Sequence, residues 1–155
     1  MRRIQRLINH WSVTSAQATV SDIRHMHLAK GWRDIGYHRI ILHPESRQFN
    51  GQPPEKWSDL VKTGRDLDTD LYLEQNEVGA HTLYYNSTSV GICTIGHPDY
   101  PLHPLQGLAV VMTNIIMARR FEIDLQMDIG AHQDFNATEC PGPEIQQLIT
   151  DLRGG

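Results

Sequence analysis

Sulfur is scarce in this chain. Two cysteines in 155 residues do not make a disulfide framework, so Cys93 and Cys140 read as free thiols or metal ligands in a chain folded in a reducing cytoplasm. Excess basic charge is missing too. The 14 Lys and Arg stand against 18 Asp and Glu, a net charge of −4, which argues against a polybasic nucleic-acid binder and against stable association with an anionic membrane. No apolar run approaches the ~18 residues of a membrane span. The basic start, "MRRIQRLINHWSV", lacks the unbroken apolar stretch and small-residue cleavage site of a secretory signal. Internal repeats and low-complexity tracts are absent. What remains has the length of one domain, residues 1–155, with enough hydrophobic residues, 39%, for an ordinary core. Histidine is plentiful: 9 of them favour a metal site without locating it.

The hydrophobic pattern alternates strands with helices. "RRIQRLINH", residues 2 to 10, reads as a strand ending on His10, with a helix possible at this length. "SDIRHMHLAKG" reads as a helix capped by Ser21, with Ile23, Met26 and Leu28 as its apolar positions and Gly31 as its stop; its His25 and His27 read as solvated. "GYHRIILH", from Gly36 to His43, is a buried strand. Residues 44 to 66, rich in Pro, Gly, Ser and Asp, read as a hairpin with an inserted surface loop ending at "TGRD". "SVGICTIG" is a second buried strand, with Cys93 inside it as a small hydrophobe. "HPLQGLAVVMTNIIMARRF" is the longest helical pattern, apolar on most faces, with Pro104 in its first turn. "LQMDIGAH" is a short strand delivering His132, and "PGPEIQQLITDLR" a closing helix. Such an order points to an α/β or α+β fold, helices packed on one sheet.

"AHQDFNATECPG" places His132 and Cys140 on one loop. With His10 they make two imidazoles and one thiolate at strand ends, where sites are usually built. That donor set suits Zn²⁺, and three protein ligands leave a fourth position for water, the catalytic arrangement. The spacing alone matches no standard finger pattern.

The ordered motifs add to this. "INHWSVT", "DIRHMHLAKGWRDIGYHRII", "GRD", "VGAHTLYYNSTSVGICTIG" and "AHQDFNATECPGP" together resemble the zinc-dependent type-2 N-acetylmuramoyl-L-alanine amidases, which include phage lysozyme-type endolysins and peptidoglycan recognition proteins. The resemblance runs from about Ile8 to Pro143. It implies a central mixed β-sheet flanked by helices, one zinc per chain on His10, His132 and Cys140, and Tyr37 beside the attacking water. It implies Thr138 as a second hydroxyl near the oxyanion, where the phage type carries Lys. His81 matches a cleft residue expected to touch substrate, and Asn86 one that holds that loop or contacts the peptide. The implied reaction is hydrolysis of the amide joining the lactyl group of N-acetylmuramic acid to L-alanine of the stem peptide. The implied biology is a monomeric endolysin held in the host cytoplasm until lysis, with bacterial peptidoglycan as its partner and no nucleic acid or membrane. A non-catalytic peptidoglycan-binding module and a cytoplasmic wall-recycling amidase are the alternatives. Relatives of the first kind lose the Cys, and the second carries Asp there. Trp32 reads as packing under the Tyr37 turn, and His38, on the opposite face, as a packed core residue in preference to a partner supporting the site. Arg65 of "GRD" reads either as a partner for a stem-peptide carboxylate or as part of a turn.

Overall fold

A computed structural model describes residues 1–154. The chain runs β1 (Arg2–Arg3), β2 (Arg6–Trp11), α1 (Val20–Ala29), β3 (Arg39–Ile41), β4 (Val61–Thr63), β5 (Tyr72–Leu73), β6 (Ser89–Thr94), α2 (Pro104–Arg120), β7 (Ile129–Ala131) and α3 (Pro143–Leu152), with short 3₁₀ turns between. Five strands form one sheet in the order β4-β3-β6-β2-β7. β6 pairs in parallel with β2 and β3, and β7 in parallel with β2; only β4, the return strand of the β3 hairpin, is antiparallel. The mixed sheet flanked by helices is the architecture expected.

Alternation along the strands divides the core in two. Leu7, Ile41, Val90, Ile92 and Ile129 face α2 and α3, packing with Val110, Met117, Ile145 and Ile149. Ile40, Leu42, Cys93 and Ile95 face the other way and pack with Val20 and Ile23 of α1. Every residue of β6 is therefore buried, as a strand covered on both faces must be. No helix is long and apolar enough to cross a membrane among the described residues.

Several local expectations change. The first strand is broken: β1 pairs with β5, and β2 starts afresh at Arg6 and runs to Trp11. Helix α1 is capped by Thr19 and not Ser21, because Thr19 and Asp22 close a reciprocal capping box. Its core face is Val20, Ile23 and His27, spaced by helical turns, while Met26 and Leu28 are exposed. His27 is thus buried and not solvated; its Nδ1 accepts the Gly36 N–H at 2.8 Å, satisfying a turn amide. His25 is exposed, as expected. In α2, His103 is the N-cap, its Nδ1 accepting from Leu105 N–H, with Pro104 next. β7 is only Ile129–Ala131, and His132 opens a 3₁₀ turn directly after it.

His38 is fully buried between strands. Its Nδ1 accepts the Gly91 N–H at 3.0 Å and its Nε2 lies 2.6 Å from the Glu77 carbonyl. Burial presses the pKa of both His27 and His38 down from 6.5 to about 4. Groups whose folded pKa is depressed in this way take up protons more readily once unfolded, so stability is full above 6.5 and falls as the pH drops through the window from 6.5 to 4. The melting temperature of the metal-free protein is therefore expected to be clearly lower at pH 4.5 than at pH 7. A flat profile by scanning calorimetry across that window would contradict the buried, neutral state of these rings.

Candidate metal centre and its cleft

His10 is the fifth of the six residues of β2, beside its C-terminal end as expected, and points to the α1 side of the sheet. Parallel pairing sets Asn9 opposite Ala131, which brings His132 alongside. The loop after β7 then carries Cys140 back, its sulfur accepting the Trp11 N–H at 3.3 Å. Donor atoms of His10, His132 and Cys140 all lie within 4.8 Å of one another. His10 is buried, while His132 and Cys140 are half-exposed, so the group opens to solvent on their side.

Hydrogen bonds assign which nitrogen each ring presents. Ser89 Oγ–H donates to the Tyr85 carbonyl at 2.6 Å, so the oxygen is left to accept from His81 Nε2, 3.4 Å away. His81 Nδ1 then accepts from His10 Nε2–H at 3.0 Å. That leaves the His10 Nδ1 lone pair facing Cys140 Sγ, 3.8 Å away. At His132, the Asn136 amide donates its N–H groups to the Leu83 and Phe135 carbonyls, so its oxygen accepts from His132 Nε2–H at 2.9 Å. His132 Nδ1 is thereby free. Metal-ligating histidines commonly show this division, one nitrogen on the ion and the other held by the protein.

The donor chemistry fits Zn²⁺: two imidazole nitrogens and one sulfur, with no fourth protein donor in the group among the described residues. Burial, with help from the neighbouring imidazoles, holds the His10 pKa well below its ordinary 6.5, so the ring is already neutral. Burial pushes the Cys140 thiol up to about 11, against the opposing pull of the Trp11 N–H.

Tyr37 stacks beside the group, its ring centroid 5.1 Å from that of His10. Burial, then the Cys93 and Cys140 sulfurs, raise its pKa well above 10, so the phenol keeps its proton. Arg65 builds the turn that presents it. The Arg65 N–H donates to the Tyr37 carbonyl at 2.7 Å, and its guanidinium donates to the Ile35 and Asp34 carbonyls. Buried in this way, Arg65 is a staple and offers no free head to a substrate carboxylate. Trp32 packs beneath the same turn, 4.6 Å from His27 ring to ring. Thr138 is exposed, and its hydroxyl oxygen accepts the Cys140 N–H at 3.2 Å.

His81 and Asn86 sit elsewhere than a cleft contact requires. His81 is buried behind His10, in room that exists because Gly91 has no side chain: a Cβ there would lie 2.6 Å from the His81 ring. Asn86 Oδ1 accepts the N–H groups of His81 and Thr82, both at 2.8 Å, and so caps the loop. Of its two expected roles, holding the loop is the one these bonds describe. Asn136 and Ser89, which orient the two rings, were not singled out from the sequence; the only hint was their place inside the motifs that carry His132 and His81. Beside the Cys140 loop runs an open cleft of about 1090 Å³, lined by Trp11, Tyr100, Gln133, Thr138 and Glu139 among others.

No protein-family model matches the chain. The endolysin of Escherichia phage T7 is 34% identical over 161 residues, spanning 94% of this chain and 89% of that protein. Peptidoglycan-recognition protein LB of Drosophila melanogaster is 31% identical over 138 residues, spanning 87% of this chain and 50% of that protein. Among solved structures, Drosophila PGRP-LB superposes with a TM-score of 0.69 at 28% identity, over 97% of this chain and 81% of that one. The N-acetylmuramoyl-L-alanine amidase LysC from Clostridium intestinale shares the fold with a TM-score of 0.72 at 22% identity, over 97% and 86%.

Because the Cys140 thiol is protonated at neutral pH and ligates as thiolate, zinc uptake at pH 7.5 is expected to release one proton per ion from the thiol, and part of a second from water in the fourth position, whose pKa zinc would bring to about 7. Apparent affinity should climb at least tenfold per pH unit from 7 to 8.5, still below the thiol pKa of about 11. Cys140→Ser should weaken binding and flatten that slope; an unchanged stoichiometry and slope would remove Cys140 from the ligand set.

Proposed function

The chain belongs to the type-2 N-acetylmuramoyl-L-alanine amidase family of phage endolysins and peptidoglycan-recognition proteins, and on that premise we propose that it is a zinc-dependent amidase of the bacterial cell wall. The bond cut is the amide between the lactyl group of N-acetylmuramic acid and L-alanine of the stem peptide. One observation carries this reading: three donors from distant segments converge within 4.8 Å with a solvent-facing side and Tyr37 beside it.

Bound by His10 Nδ1, His132 Nδ1 and Cys140 Sγ, zinc would supply Lewis acidity and bring the pKa of water to about 7. The rest is the chain's own work. Tyr37, kept protonated by its surroundings, donates a hydrogen bond to the carbonyl oxygen as negative charge builds there. Thr138 has its oxygen occupied by the Cys140 N–H, so its own O–H is available as a second donor toward the same oxygen. His81 and Asn136 hold the two ligand rings in one tautomer and orientation, so no reorganisation is needed as the reaction proceeds. The cleft beside Trp11 and Glu139 is continuous with the Cys140 loop and receives the remainder of the wall polymer.

A purely binding module needs no open metal position, and a recycling amidase of the kind with an Asp ligand would not place a thiol here. Both considerations favour a catalytic endolysin, acting as a monomer held in the host cytoplasm until lysis and then turned on the wall.

Chelation is expected to abolish release of L-alanine amino termini from purified peptidoglycan, with zinc restoring it. Mass spectrometry of the digest should show intact lactyl-bearing glycan and free stem peptides; cuts within the glycan strand or the cross-bridge would refute the assignment. Tyr37→Phe should lower kcat by about 10²–10³ while KM and zinc content stay near the parent values. A turnover that survives the change would take Tyr37 out of the reaction.

A further inference from the structure

On the face of β2 opposite His10, the apolar layer under α2 holds two amides. Asn9 and Asn114 are buried, with 1% and 0% exposure. Asn9 Nδ2 donates to Asn114 Oδ1 at 2.8 Å and to the Gly130 carbonyl at 3.1 Å. Asn114 Nδ2 donates to Asn9 Oδ1 at 2.9 Å and to the Val110 carbonyl at 2.8 Å. All four N–H donors of the pair are used and both oxygens accept, with no water required. The surroundings are Leu7, Val110, Met117 and Ile129, a layer in which leucines would bury more apolar surface. A satisfied amide pair in such a place adds little net stability over well-packed hydrophobes. What it adds is geometry, because hydrogen bonds impose lengths and directions that dispersion contacts do not.

We propose that the Asn9–Asn114 pair is a positioning device for the metal centre, acting through the strands that carry His10 and His132. The inference rests on the three-donor site described above. Asn9 directly precedes His10 and points to the opposite face of β2, so pinning its amide stops the strand from rolling about its axis and swinging the His10 ring. Its second N–H grips the carbonyl of Gly130, two residues before His132, and adds a lateral tie to the β2–β7 ladder. Asn114 anchors both to the middle of the longest helix, α2. Ligand constellations need to be held within about 0.5 Å of their working geometry, and the pair fixes the relative placement of the two strands from behind.

The Asn9→Leu/Asn114→Leu double variant removes both amides together and leaves neither unpaired. The metal-free variant is expected to melt at or above the temperature of the parent. Zinc affinity, by competition with a chromophoric chelator, should fall 10- to 100-fold. In the Co²⁺-substituted protein, the thiolate charge-transfer and d–d bands should shift. A role confined to stability would move the melting temperature and leave affinity and spectrum alone, and that result in a folded variant overturns the proposal. Should the variant fail to fold, the parent chain decides. By reciprocity of coupling, zinc should slow side-chain amide exchange at Asn9 and Asn114 more than at Gln106, whose buried Nε2 donates to the Ile95 carbonyl, on neither of the strands that carry His10 and His132. Equal slowing at all three overturns it, as does a parent chain that takes up no zinc. None of these measurements reads cleavage of the cell wall, so a wrong bond assignment would leave the inference intact.

Discussion

Parallel pairing of β2 with β7, Asn9 opposite Ala131, is the constraint on which the rest of the molecule depends. Two histidines more than a hundred positions apart in the chain become neighbours through that register, and a slip by one residue would turn His10 to the opposite face of the sheet. The third donor needs a different device. Cys140 returns on a loop and is caught by the Trp11 N–H, the backbone amide just after His10. Gly142 completes the approach: at φ +84 it takes a conformation that suits glycine, and a Cβ there would lie 2.4 Å from the Trp11 ring.

The same centre is built at the expense of acid stability. His10, His81 and His38 follow one another in a buried row, with His10 edge-on to His81 and His81 edge-on to His38. All three have pKa values pressed down, with burial as the first cause. Neutral rings are what a metal ligand and its hydrogen-bonded support require, since a protonated imidazole has no lone pair to offer. Burial therefore keeps these rings in the form a metal would need, and Gly91 makes the space that His81 occupies. Tyr37 is shifted in the other direction, burial keeping its phenol protonated beside His10.

Much of the molecule was legible beforehand. "SVGICTIG" and the long α2 pattern are continuous apolar runs, and such runs leave little choice of placement. That His10, His132 and Cys140 come together is what residue type and motif order lead one to expect. The less readable parts share a cause. Residue type places His27 in solvent, yet one turn amide, Gly36 N–H, needs an acceptor inside the core. Motif membership points His81 toward the cleft because it marks importance and not position, and the ring lies buried behind His10. Arg65 is likewise a buried staple whose partners are backbone carbonyls, which no side-chain pattern announces.

By its residues alone, the chain determined its class of sheet and helix layers and pointed to His10, His132 and Cys140 as a candidate donor set. Only the tertiary structure decided that these three converge, which nitrogen of each ring is left unpaired by the protein, which histidines lie behind the group, and that Asn9 and Asn114 meet on the opposite face of β2. The physical reason is that hydrophobic periodicity is a local property, expressed in every few residues of chain, whereas hydrogen-bond partners such as Asn136 for His132 or Ser89 for His81 exist only once the backbone has brought donor and acceptor within about 3 Å.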